Sequence, residues 1–176
     1  MHVLTTQRLT LRRLCVDDAA FMLGLLNQPS WLRFIGDRGV STLQQARAYI
    51  TNGALQSYAR FGFGFYLVEL KAQRVPIGIC GLAKRDYLDH VDLGYALLPQ
   101  YWSQGLAHEA AAGVVEFGRN VLGLGRLVAV TTPDNDSSIR VLEKLGFRFE
   151  QTIVHPDTAE RLKLFTVELG GNPDTG

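Results

Sequence analysis

Leu97-Leu98-Pro99-Gln100-Tyr101-Trp102-Ser103-Gln104-Gly105-Leu106-Ala107-His108-Glu109-Ala110 runs from an apolar strand through a short turn into a helix. Gly105 and Ala107 put no bulky side chain in the turn, so main-chain N–H groups can approach a ligand closely. Those N–H groups belong to the unpaired first turn of the following helix, where the helix dipole adds partial positive charge. The stretch therefore reads as an anion site. It is neither of the common phosphate loops: the chain has no G-x-x-x-x-G-K-[ST] and no G-x-G-x-x-G after a strand, which argues against nucleotide kinases and Rossmann dehydrogenases.

Downstream, Ala107, Ala110, Ala111, Val114, Gly118, Val121 and Leu122 recur at helical spacing, with Glu109, Glu116 and Arg119 on the other side. Leu127-Val128-Ala129-Val130 is a continuous apolar run, as in a strand covered on both faces. With the strand at about His90 to Leu98, it makes a right-handed βαβ unit. Pro133 to Ser138 supply turn and cap residues for a short helix, Ile139 to Leu145, which stops at Gly146. Phe147 to His155 and Arg161 to Glu168 read as a last pair of strands.

Upstream, Arg8 to Leu14 alternates polar and apolar, as a half-buried strand does. Asp17 or Asp18 can cap a helix to about Leu26, which Pro29 ends, and a loop carries Trp31, Phe34, Gly36, Asp37 and Gly39. Ser41-Thr42-Leu43-Gln44 has capping-box spacing, and Leu43, Ala46, Ile50, Ala54 and Ser57 trace one helical face. Phe63 to Leu70 and Val75 to Leu82 form an antiparallel hairpin about Lys71-Ala72-Gln73-Arg74, with the polar Lys84-Arg85-Asp86 after it. These elements imply one α+β domain over residues 1–169 around a mixed sheet, with Gly170 to Gly176 an unstructured tail.

The chain has 176 residues, 47% of them hydrophobic, enough for one sizeable core. Its formal net charge of +1 offers no broad drive toward nucleic acid or an anionic membrane, so an anionic ligand must be held locally. No apolar run reaches the ~20 residues that span a bilayer, and Met1 to Arg8 lack a signal core, which points to the cytoplasm. Cys15 and Cys80 are expected as buried, reduced thiols, and His2, His90, His108 and His155 match no metal-ligand spacing, so no metal is expected.

Three ordered blocks resemble the GNAT acyltransferase superfamily and, within it, the RimJ/RimL-like branch, over nearly the whole chain. They are Thr6 to Arg12 followed by Asp17-Asp18-Ala19, Leu93 to Pro99 followed by Tyr101 to Ala110, and Asn135 to Ser138 followed by Val141 to Phe147. Trp102 stands where the broader superfamily usually has Gln or Arg, and a Trp there is similar to the branch. The resemblance implies a twisted, mostly antiparallel mixed sheet of about seven strands flanked by about four helices, with splayed central strands. It also implies transfer of an acetyl group from acetyl-CoA to a primary amine, on a protein N-terminus or a small molecule, by a monomer or homodimer. A non-catalytic acyl-CoA-binding or sensor domain is the alternative.

Carried onto this sequence, the resemblance places the pyrophosphate on the main chain of Gln104, Gly105, Leu106, Ala107 and His108, and the pantetheine arm on Ala96, Leu97 and Leu98. The N–H of Leu97 or Leu98 would face the thioester carbonyl. Asn135 would bond the pantetheine or cap its helix, and Ser138 would protonate the leaving thiolate or bond the backbone at a helix N-terminus. Leu142 stands where many members carry a Tyr, so that phenol's role does not transfer. Asp92 is a base acting through water, or an ordinary Asp on a solvated strand, and Glu109 a dipole partner. Arg140 and Lys144 reach the 3′-phosphate end or complement the helix dipole. Trp31, Phe34, Tyr58 and Phe61 line an acceptor pocket or pack the core, and Tyr95 is counted on the acceptor side. Alternation along an ideal strand puts Tyr95 and Asp92 on opposite faces, so both line one pocket only if the strand bulges.

Overall fold

The computed structural model describes residues 1–170; Gly170 apart, the expected unstructured tail lies outside the described residues. Strands β1 (His2–Thr5), β2 (Leu9–Arg13), β3 (Phe65–Leu70), β4 (Val75–Ala83), β5 (Asp92–Leu97), β6 (Arg126–Thr131), β7 (Arg148–Val154) and β8 (Arg161–Glu168) form one sheet, in the order β1-β2-β3-β4-β5-β6-β8-β7. Neighbours are antiparallel except β5 and β6, which run parallel on either side of the crossover helix. The expected α+β class and mostly antiparallel mixed sheet are both present. The eighth strand is β1, whose four residues are too few for an alternation pattern and which pairs along β2.

β3 and β4 are apolar on both faces because both faces are covered. Tyr66, Val68 and Cys80 point toward α5 (Leu106–Asn120) and α6 (Asp136–Lys144), where Ala110, Val114 and Leu142 pack on them. Leu67 and Ile79 point the other way, under Met22 and Leu25 of α1 (Ala19–Leu26) and Ala46 and Ile50 of α3 (Leu43–Ile50). A π-type turn, Thr51–Leu55, carries α3 into α4 (Gln56–Phe61).

Several expectations change at the helix ends. Pro29 ends α1 but also opens a short helix, α2 (Pro29–Phe34), because a proline without an N–H suits a first helical position. The stretch read as a loop is therefore helical through Phe34. Neither Asp17 nor Asp18 caps α1; the Asp18 carboxylate turns to the Cys15 N–H and pairs with Arg12 through both oxygens. The capping box sits one residue later than its sequence spacing implied: Thr42 accepts from the Gln45 N–H and Gln45 accepts from the Thr42 N–H. That shift leaves Leu43 on the outside, 46% exposed. Cys80 is buried as expected, whereas Cys15 is exposed at the start of the turn before α1, and both thiols are free.

Candidate active site

β5 and β6 touch at one register point, Asp92 opposite Val128, and diverge beyond it. A cleft of about 910 Å³ runs through the sheet at that divergence, from the α5–α6 face to the α1–α3 face. Asp92, Gly94 and Ala96 share one face of β5 and Tyr95 and Leu97 the other. All five line the cleft, although the β4–β5 register is regular throughout. The expectation that Tyr95 and Asp92 could share a pocket only across a bulge is thus corrected: the pocket crosses the sheet instead.

The N–H of Leu98 donates to the Ile77 carbonyl at 2.8 Å. Alternation along the antiparallel ladder then turns the Ala96 N–H toward β4 as well and the Leu97 N–H toward the cleft. Among the three backbone positions expected to serve the pantetheine arm, only Leu97 presents a donor there. Ala96 contributes its methyl to the wall, and Leu98 is spent on β4 and on accepting the Tyr101 N–H. Trp102 donates its indole N–H to the Leu97 carbonyl at 2.9 Å, which fixes the strand end against the turn.

That turn is strongly bent. Ser103 and Gly105 both have positive φ, 59° and 76°, and Gly105 is the residue before the first turn of α5. The first helical bond is Glu109 N–H to Gly105 carbonyl, so the N–H groups of Leu106, Ala107 and His108 are left unpaired at the cleft wall, at the positive end of a 15-residue helix. The Gln104 side-chain amide instead donates back to the Gln100 carbonyl, and the Gln104 main-chain carbonyl accepts from Arg8 Nη1 at 3.0 Å.

Glu109 does more than face the dipole. Its carboxylate accepts from the Thr6 hydroxyl at 2.6 Å and from the N–H and Nε of Arg8, each at 2.7 Å. Burial would raise its pKa, but these bonds and the Arg8 charge outweigh that and hold it below the usual value. Arg8 thus ties the N-terminal segment, the turn and α5 together, and neutralises a carboxylate one helical turn from the anion site. Residues 101 apart in sequence leave no local pattern by which this contact could be read.

Across the cleft, the Asn135 side chain caps α6 by accepting the Ser138 N–H at 3.3 Å, its capping alternative. The Ser138 hydroxyl meets the Tyr95 hydroxyl at 2.8 Å, and the Tyr95 hydroxyl also donates to the Ser138 carbonyl at 3.1 Å. The Tyr95 hydroxyl therefore reaches α6 across the cleft, on the sheet face opposite Asp92. Leu142 is 1% exposed in the core. Arg140 and Lys144 line the cleft with no ion-pair partner among the described residues. Thr131 and Thr132, at the end of β6, are buried in the same wall with hydroxyls that find no protein partner.

On the α1–α3 face, Asp92 is 2% exposed and paired with Arg85 at 3.2 Å, so its solvated-strand alternative is overturned. Burial pushes its carboxyl above the ordinary value, against the charge and hydrogen bond of Arg85. Burial also raises the phenols of Tyr49 and Tyr87, with Arg38 and Arg85 pulling the other way. Trp31 and Phe34 line this end of the cleft. Tyr58 and Phe61 do not: Tyr58 is a core residue bonded to the Leu14 N–H and the Phe65 carbonyl, its phenol pushed up by burial to about 12, and Phe61 lies at the surface. Arg85 was legible only as part of a polar connector, because its partner becomes adjacent through the β4–β5 pairing of Ala83 with Asp92.

The cleft thus offers a row of amide donors, an isolated amide facing the strand gap, a hydroxyl pair and one buried carboxylate. Among the described residues no group of three or more His, Cys, Asp or Glu could hold a metal, and no helix is long and apolar enough to cross a membrane. Residues 8–148 match the family model for the acetyltransferase (GNAT) domain. The chain is 31% identical over 150 residues to the uncharacterized N-acetyltransferase YoaA of Bacillus subtilis, covering 84% of each protein. Its fold is similar to that of RimL, a ribosomal L7/L12 alpha-N-protein acetyltransferase solved with coenzyme A, at a TM-score of 0.82 and 16% identity, over 96% of this chain and 98% of that one. It is also similar to the spermidine N-acetyltransferase of Vibrio cholerae, solved with CoA and spermine, at a TM-score of 0.77 and 17% identity, over 92% and 96%.

Proposed function

We propose, because the chain belongs to the acetyltransferase (GNAT) family, that it moves an acetyl group from acetyl-CoA to a primary amine by direct attack, within one unit spanning residues 1–169. The observation that carries this reading is the unpaired N–H row of Leu106, Ala107 and His108 opening onto the β5–β6 gap. A diphosphate fits that row, as anions fit helix N-termini generally. The unpartnered Thr131 and Thr132 hydroxyls further along the same wall suit the amide-rich arm that would follow it. Arg140 and Lys144 are the cations within the cleft for the nucleotide end.

In this reading the Leu97 N–H donates to the thioester oxygen as negative charge grows there. Asp92 stays ionised beside Arg85 and takes the amine's proton through a water. Ser138 donates to the departing sulfur. The acceptor enters between Trp31, Phe34 and the Arg85–Asp92 pair. That end sets Arg38 and Arg85 against the buried Asp92 and the exposed Glu160, a balance that suits one amine on a peptide N-terminus or a small molecule and disfavours a polycation. The two free thiols accord with a cytoplasmic enzyme.

The test is free-thiol release from acetyl-CoA by the purified protein with N-terminal peptides, small monoamines and spermidine. Release with a peptide or monoamine should exceed that with spermidine by about tenfold. Coenzyme binding with no release above background on any amine overturns the transferase reading.

A further inference from the structure

β5 and α6 are joined across the cleft by two hydroxyls. The Tyr95 oxygen lies 2.8 Å from Ser138 Oγ and 3.1 Å from the Ser138 carbonyl, while the Ser138 N–H is taken by Asn135. Both residues line the cleft, and the unpaired Leu97 N–H opens into the same cleft at the β5–β6 gap. A phenol has one proton to place. If it goes to the carbonyl, the Ser138 hydroxyl must point its own proton at the phenol oxygen to keep the 2.8 Å contact. If it goes to Oγ, the Ser138 proton is free to point into the cleft. The direction of the Tyr95 proton therefore sets which way Ser138 donates.

We propose that Tyr95 is a positioning residue for acetyl transfer: its hydroxyl turns the Ser138 proton toward the leaving sulfur. The inference rests on the transferase reading. As the amine nitrogen bonds to the acetyl carbon and the carbon–sulfur bond breaks, the electron pair leaves on sulfur. The Ser138 O–H swings to that charge and the Tyr95 O–H swings from the carbonyl to Ser138 Oγ. Coupled hydroxyls polarise one another, so each bond strengthens the next. Neither residue loses its proton. The proton that finally neutralises the thiolate is the one the amine gives up on becoming an amide, passed through Asp92 and water. Burial holds the Tyr95 phenol above its ordinary value, which keeps it a donor throughout. The same contact explains why a tyrosine sits here with its ring among apolar neighbours and its one polar atom fully used.

The experiment is a double-mutant cycle on the full chain with Tyr95→Phe, Ser138→Ala and the pair together, measuring kcat, the KM for acetyl-CoA and thermal unfolding. Tyr95→Phe should lower kcat about tenfold with the KM for acetyl-CoA within about twofold, and should change kcat by less than about twofold when Ser138 is already Ala. Equal effects of Tyr95→Phe in both backgrounds, or a loss confined to KM and melting temperature, overturn the inference and leave the transferase reading standing. Thiol release absent from the unaltered chain with every amine overturns both.

Discussion

The two ends of the cleft are built from different materials. The anion end consists of main-chain groups, the N–H row from Leu106 to His108 and the Leu97 N–H, aimed by the left-handed turn at Gly105. The end proposed for the acceptor consists of side chains, Trp31, Phe34, Arg38, Tyr49, Arg85 and Asp92, drawn from α2, α3, the loops and the face of β5. Main-chain donors bind whatever carries the right charge and shape, and tolerate sequence change wherever the backbone path is kept. Side-chain pockets change ligand with one substitution. One fold can thus hold one coenzyme and serve many acceptors.

Gly105→Glu attacks the anion end most directly. It sets a side chain at φ 76° and brings a carboxylate beside the amide row, so acetyl-CoA affinity should fall at least about 100-fold by calorimetry. Gly105→Asn, which tolerates that conformation, should retain affinity within about fivefold. If both bind equally well, the anion end is elsewhere.

Asp92→Asn should spare coenzyme affinity and lower kcat by about 100-fold, the converse split. With Asp92 as the proposed base, the active form is the ionised carboxylate, so kcat should fall as pH drops through the Asp92 value, which burial holds above the ordinary carboxylate range. Arg85→Gln removes the cation that opposes that rise and should move the inflection to higher pH. A profile unchanged in both variants removes Asp92 from the chemistry.

Arg8→Ala tests the support behind the amide row and should have the smallest effect. It leaves the Glu109 carboxylate with the Thr6 hydroxyl and the residue-8 N–H but no cation near the bound anion, and the Arg8 side chain is 46% exposed, so screening keeps the loss small. Acetyl-CoA affinity should weaken about threefold to fivefold, with kcat unchanged. Affinity unchanged at low salt would mean that the clamp holds the fold and not the coenzyme.

The same division explains what could be read from the chain. The turn from Leu97 to Ala110 was legible because a strand, a small-residue bend and an amphipathic helix are local patterns, and a main-chain site needs only those. Asn135 as cap and Gly146 as the left-handed stop, at φ 88°, were legible for the same reason. The α2 helix was missed because Pro29 reads equally as the end of one helix and the start of the next. Leu43 was misplaced because two neighbouring hydroxyls, Ser41 and Thr42, both offer a cap.

The sequence by itself determined the class of fold and the place of the strand, small-residue turn and amphipathic helix from Leu97 onward, since each depends on periodicity, capping and backbone conformation within a few residues. Only the tertiary structure decided that Asp92 is buried against Arg85, that Tyr95 meets Ser138, that Glu109 is held by Arg8, and that the pocket passes through the sheet. Each of these contacts depends on the register of paired strands or on how a helix lies across them. Register and packing are properties of segments brought together in space, and no short stretch of chain carries them.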